Sequence, residues 1–164
     1  MQQSETGTLR REHRLNMDEK KMTIPQISVF LENKAGQLAD ITNILSENQV
    51  NMRAINIAET TDYGVLRLIV DDAARASSIL LEHGFILTMT PVVGVAVADT
   101  PGGLSQVLGV ISHAGIDVEY MYSVFGQKNG QACMIFRVAD TDGLASVLEK
   151  NGIGTITGED LGLH

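Results

Sequence analysis

The chain has no tryptophan, three tyrosines and four phenylalanines, so aromatic residues make up only 4% of its 164 positions. Any core must be built from Val, Ile, Leu, Ala and Met, and stacking platforms for nucleic-acid bases are scarce. Cys133 is the only cysteine, which excludes an intrachain disulfide and a multi-cysteine metal site. Within the run Ala132-Cys133-Met134-Ile135-Phe136 it reads as a small buried hydrophobe. A nucleophilic role would need a base beside it, and His113 is too distant in sequence to be assigned one. No stretch approaches the roughly 18 apolar residues of a membrane helix. The N-terminus lacks the apolar segment of a secretory signal, so a cytoplasmic location is expected.

Positive charge is also in short supply. Twelve Lys and Arg face 20 Asp and Glu, for a formal net charge of -8. Residues 1–22 hold five of the basic and four of the acidic side chains, a local balance of +1, which leaves -9 on residues 23–164. Such a surface repels a phosphate backbone, whose binding needs Lys and Arg, and an anionic membrane. Neither is an expected partner. Catalytic signatures are missing too: there is no glycine-rich phosphate loop, no His-x-Glu or Cys-x-x-Cys spacing and no serine elbow. No enzymatic activity, cofactor or metal is expected. His83 and His113 fall at the ends of expected helices, where a histidine complements the helix dipole.

What the chain does contain is a repeat. Asn33-Lys34-Ala35-Gly36-Gln37-Leu38 aligns with Asp99-Thr100-Pro101-Gly102-Gly103-Leu104 at an offset of 66, as does Val50-Asn51-Met52 with Ile116-Asp117-Val118. Asp72 with Asp140, and Gly84-Phe85 with Gly152-Ile153, align at an offset of 68. Two extra residues are therefore expected in the second copy, between Phe125 and Gln131.

Each copy reads β-α-β-β-α-β. The short runs 26–31 and 92–98, rich in β-branched residues, predict first strands. Leu38, Ile41 and Leu45 recur at helical spacing, as do Leu104, Val107, Leu108 and Ile111. Gly115 stands where it would cap the second of these helices. Hairpins are predicted from 50–58 with 65–70 and from 116–125 with 131–138, around turns at 61–64 and 126–130. Second helices are predicted over 73–82 and 143–151, and short last strands at 86–89 and 154–157. The fold class is α+β: two ferredoxin-like βαββαβ units in tandem, each an antiparallel sheet with both helices on one face. Only Thr90 and Pro91 separate the copies, too few residues for a flexible linker. The expected organisation is a polar extension over 1–23, a first unit over 24–91 and a second over 92–164. In the extension, 9–21 reads as a charged helix, and Met17 and Met22 are alternative starts.

The loops after the two first strands are chemically unusual. Thr100 then Pro101 suits an N-cap followed by the first helical position. Two glycines in the turn that follows cost about 1 kcal/mol each relative to alanine. Two explanations stand: close packing or a tight turn, or bare amides at a helix start that let a carboxylate approach the backbone. Asn33 and Asn51, like Asp99 and Asp117, mark the end of one strand and the start of the next, and are expected to share a sheet edge beside the helix start. Each also serves as an ordinary turn former.

Together these residues resemble the ACT domain, here in tandem over 24–158: an apolar strand, Asn or Asp, x, Pro or Ala, Gly, x, Leu, an apolar helix, then Val-Asn or Ile-Asp opening a long strand. The resemblance implies a regulatory module that binds an amino acid or related small metabolite at an interface between two ACT units. It assigns Asn33, Ala35, Gly36, Gln37, Leu38 and Asn51 to one half-site. Asp99, Pro101, Gly102, Gly103, Leu104 and Asp117 form the other. The ligand's carboxylate would meet the amides at Gly36 and Gln37, and a carbon branch at Gly36 would block it without touching the core. The resemblance further implies units side by side with continuous sheets, a homodimer, and a metabolic enzyme as partner. Three alternatives stay open: an interaction module without ligand, an enzyme on the same scaffold, and an RNA-binding module using Tyr120 and Tyr122 as exposed sheet aromatics.

Overall fold

The computed structural model describes residues 22–32, 34–59 and 62–164. Asn33, Thr61 and the expected charged helix with Met17 lie outside them. The elements are β1 (Ile24–Glu32), α1 (Gln37–Glu47), β2 (Met52–Glu59), β3 (Tyr63–Val70), α2 (Ala73–Glu82), β4 (Ile86–Ala98), α3 (Gly103–His113), β5 (Tyr120–Lys128), β6 (Gln131–Arg137), α4 (Thr141–Lys150) and β7 (Thr155–Ile156), followed by a 3-10 turn at Glu159–Leu161. The strand order is β2-β3-β1-β4-β6-β5, with β7 also on β4, and every pairing is antiparallel. Two ferredoxin-like units in tandem result.

The helices form where the periodicity predicts. α1 buries Ile41 and Leu45, α2 Ala73, Ala76 and Leu80, α3 Val107 and Ile111, and α4 Leu144, Ala145 and Leu148. Leu38, expected on the same stripe, is exposed. Asp72 and Asp140 start α2 and α4 by accepting from the amides of Arg75 and Gly143, at 3.0 and 2.9 Å, the usual N-cap geometry. α3 ends as predicted: Gly115 (φ 71) follows the C-cap, its amide donates to Ser112 O, and Ile116 N donates to Ile111 O, a Schellman closure. His83 caps α2, with Nδ1 2.8 Å from Ile79 O, and His113 closes α3.

The sequence predicts two strands divided at Thr90-Pro91, but β4 runs straight through, 13 residues long. Its first half pairs with β1, up to Ile24↔Val92, and its second half with β6, from Val93↔Phe136. Pro91 stands opposite Pro25. Neither has an amide hydrogen to donate, so both are tolerated where the ladder changes partner. The two extra residues of the second copy form a bulge rather than a longer turn: Ser123↔Met134 is followed by Gln127↔Ala132, which leaves three residues of β5 between the pairs against one of β6. The turn itself is tight, with Asn129 (φ 56) and Gly130 (φ 72) both left-handed, as a two-residue hairpin loop prefers. β5 begins at Tyr120, not 116; of the preceding stretch, Glu119 N reaches Arg137 O. β7 is likewise shorter than predicted.

Both faces of β1 are buried. Ile27, Val29 and Leu31 face α1 and α2 in one core; Val93, Val95 and Val97 of β4 face α3 and α4 in a second. A third core lies between the units, where Ile24, Ala54, Ile69 and Val92 meet Tyr122, Val124, Cys133 and Ile135. The expectation of units side by side is therefore corrected. The hydrogen-bonded path is continuous through β4, but the outer faces of the two sheets stack on each other. Each fully buried aliphatic side chain there is worth about 1.5–3 kcal/mol, so this joint holds the units as one body.

Polar groups fix its register. Gln26, fully buried, donates from Nε2 to Tyr120 Oη (2.8 Å) and Ser28 Oγ (2.9 Å), and accepts from Tyr122 Oη (2.6 Å). Arg67 donates to Asn56 Oδ1 (2.9 Å), and its guanidinium carbon lies 3.6 Å from the centre of the Tyr120 ring. Burial, above all, pushes the Tyr122 hydroxyl far up, which keeps it neutral. Tyr120 and Tyr122 thus face the other unit and offer no open platform for bases.

Candidate functional site

Each first strand ends in a loop that must reverse into a helix, and in both copies a glycine makes the reversal. Gly36 (φ 88) and Gly102 (φ 86) are the N-caps of α1 and α3, in left-handed conformations without a side-chain cap. This corrects the expected capping by Thr100 and Pro101, which lie in the turn before it, with Thr100 O accepting from Gly103 N at 3.0 Å. The fold needs Gly36 and Gly102 for their backbone, since a Cβ at either would have nothing within 4 Å but would sit at a φ that side chains with a Cβ resist. Gly103 is different. A Cβ there would lie 2.0 Å from Ala98 O, so close packing of α3 on β4 demands it.

Gln37 takes the corresponding place in the first copy, and a small cavity of about 190 Å³ lies beside it. Gln37, Lys34, Glu32 and Leu38 line one side; Ile57, Glu59 and Tyr63 line the other, from the far end of the β2–β3 hairpin. Gln37 Oε1 is buried and has no hydrogen-bond partner. Lys34 pairs with Glu32 at the rim, while Leu38, Ile57 and Tyr63 expose large apolar surface. The first-turn amides of α1 provide the positive end of a helix dipole. The arrangement can take a small polar group bearing both a negative end, toward the amides, and a donor, toward Gln37.

Of the residues the sequence singled out, Gln37 and Leu38 line this cavity, and Ala35 and Gly36 form the turn just before them. Asn51 does not. It adjoins Asp71, with Asn51 N donating to Asp71 Oδ1 at 3.1 Å, at the other end of the sheet from the Glu59↔Gly64 and Glu32↔Tyr63 pairs. About eight residues of strand, some 25 Å, intervene. The reason is topological: in a βαβ step with one strand between them, β1 and β2 run parallel, so the end of one and the start of the other are at opposite edges. The same holds in the second unit, where Asp99, Pro101, Gly102, Gly103 and Leu104 gather at one end and Asp117 precedes β5 at the other. Lys34, Ile57 and Tyr63 were missed, because long-range pairing of the hairpin end with the β1–α1 loop leaves no local signal.

Among the described residues, no helix is long and apolar enough to cross a membrane, and no three His, Cys, Asp or Glu side chains gather as metal ligands would. Cys133 is buried, and burial first, then the charge of Asp160, pushes its thiol up to about 11. That is the behaviour of a core residue rather than a nucleophile.

Residues 22–163 match the family model of the ACT domain pair, and the chain belongs to that family. A crystal structure of protein BT0572 from Bacteroides thetaiotaomicron is similar at 36% identity and a TM-score of 0.81, over 87% of this chain and 98% of that one. The regulatory subunit of aspartate kinase from Thermus thermophilus, in its ligand-free form, shares the fold at 14% identity and a TM-score of 0.57, over 80% and 94% of the two chains. The corresponding subunit from Thermus flavus does so at 13% identity and a TM-score of 0.51, over 79% and 92%. A search of curated proteins finds no match.

Proposed function

We propose that this ACT pair, with working units 24–91 and 92–164, is a non-catalytic regulatory module that senses an amino acid or related small metabolite and relays its presence to a partner enzyme or a second copy of itself in the cytoplasm. The observation that carries the reading is the buried, unpartnered Oε1 of Gln37 beside the first-turn amides of α1. A buried acceptor without a donor costs about 1–3 kcal/mol, and an ammonium group would remove that cost while the amides hold the carboxylate. The apolar rim at Leu38 and Ile57 suits closure by another ACT unit, as the family resemblance implies. Of the twelve residues that resemblance assigns, Gly36, Gln37 and Leu38 are the ones this reading uses, with Lys34 added.

The test is thermal stabilisation of the full chain against the twenty amino acids. A ligand at 100 times its dissociation constant stabilises by about 2.7 kcal/mol, and Gln37→Leu removes that gain. Gly36 is the wrong place to probe, because at φ 88 a branched side chain strains the turn itself. No shift with any amino acid overturns the reading and favours a pure interaction module, for which the open half of the first sheet, with Phe30 and Ile86 exposed (Ile86 at 69%), is the supporting feature.

A further inference from the structure

A second cavity, of about 390 Å³, lies between the units, far from the loop pocket. Its floor is the outer face of the second sheet, with Val124, Cys133 and Ile156; the 3-10 turn closes one side with Asp160 and Leu161; and Arg53 reaches in from β2 of the first unit. The second unit forms most of it, and Arg53 is the first unit's contribution.

Arg53 sets the chemistry. Its Nε is buried and has no hydrogen-bond partner, and a guanidinium cannot shed its proton to escape the cost. Arg53 as a whole is half-buried, and leaving its buried Nε–H without an acceptor is costly. Nη2 lies against the backbone at Gly162, where a Cβ would stand 3.2 Å away. The edge formed by Nε and Nη2 is the one that takes a carboxylate through two parallel hydrogen bonds. Val124, Cys133 and Ile156 supply apolar surface to the same cavity, and the charge of Asp160 is close enough to act on the Cys133 thiol. Asp160 accepts from Thr157 N and Oγ1 at 2.9 and 3.0 Å, which holds its carboxylate in place at the cavity's edge.

We propose that this cavity binds a small carboxylate with a short apolar chain, its anionic end on the Arg53 guanidinium and its chain against Val124, Cys133 and Ile156. The site is separate from the loop pocket at Gln37. Asp160 decides whether a 2-ammonium group is also accepted.

Three probes sharing a 3-methylbutyl chain separate these contributions by calorimetric titration of the full chain: 4-methylpentanoate, leucine, and 3-methylbutylamine. The first two are expected to bind and the amine to fail; tighter binding of leucine than of 4-methylpentanoate assigns the ammonium to Asp160. Arg53→Met keeps the length of the stem and is expected to weaken carboxylate binding at least tenfold, while Glu149→Gln, on the exposed face of α4, leaves it unchanged. Cys133→Met narrows the cavity with Arg53 intact, and is expected to weaken binding as well, which keeps the test decisive if Arg53→Met does not fold. Bound carboxylate should also slow alkylation of Cys133. The proposal is overturned if neither carboxylate binds, if Arg53→Met or Cys133→Met binds as the wild type does, or if Gln37→Leu alone removes binding. The last outcome would leave the loop pocket as the site.

Discussion

The same sequence motif does different work in the two copies. Gly102-Gly103 in the second is a packing device: Gly102 turns the chain and Gly103 lets α3 lie on Ala98 without room for a methyl group. In the first, Gly36 makes the same turn, but Gln37 replaces the packed glycine and leaves a buried, unpartnered oxygen beside a cavity. Both copies carry the backbone device, and the first alone follows it with a polar side chain beside a cavity.

Exchanging the two residues breaks the comparison most forcefully. Gly103→Ala places a methyl group on the Ala98 carbonyl and is expected to cost about 3 kcal/mol, whereas Gln37→Gly costs about 1 kcal/mol. Urea unfolding of both variants measures this, and equal losses would mean the two loops are equivalent after all. A smaller asymmetry lies at the other end of the same helices. α3 is followed by Gly115 (φ 71), but α1 by Gln49 (φ 55) in the same left-handed conformation, with equivalent closing bonds, Gln49 N to Ser46 O and Val50 N to Leu45 O. Gln49→Gly is expected to stabilise by about 1 kcal/mol and Gly115→Gln to destabilise by as much, read by the same unfolding titration.

The smallest effect compares the two outer sheet faces. Cys133 pairs with Ala96 as Val65 pairs with Phe30, yet Cys133 is covered and Val65 is only half-buried. Stability from keeping the Cys133 thiol protonated is fully present below its ordinary value of 9.0 and is lost as pH rises toward about 11. Iodoacetamide labelling of the native protein should show a midpoint near 11 for Cys133. The thiol introduced by Val65→Cys in a Cys133→Ala background should label at clearly lower pH. Coincident profiles would mean the second face is as open as the first.

These contrasts also mark what local sequence could convey. Element order, the stripes of α1 and α3, the Schellman end at Gly115 and the two-residue insertion were legible, because each rests on local spacing or on the register between the two copies. Pro91 read as a break, since nothing nearby in sequence reveals that its cross-strand neighbour is Pro25. Gln26 and Ser28 carry no local sign of burial; the stacking of the second sheet makes them a buried network with Tyr120 and Tyr122. For the candidate site, the glycine loops were visible and their neighbours were not. Asn51 was assigned to the wrong edge because the direction of β2 depends on β3, which follows it. Arg53 carried no signal at all, as its burial comes from the segment around Gly162, more than a hundred residues away.

Strand β4 limits how the molecule can move. A hinge between the units, the ordinary way a two-part protein closes on a small molecule, would have to part the ladders that meet at Val92 and Val93. What remains is twist along a single strand of 13 residues, about 43 Å long. An event at the Ile86 end, beside β1 and its loop, would reach Ala98 as a rotation of side chains about the strand axis, with no cleft opening or closing. With the outer faces also packed on each other, a response to the proposed ligand is expected in the orientation of α3 and α4 over β4 and not in the separation of the two units.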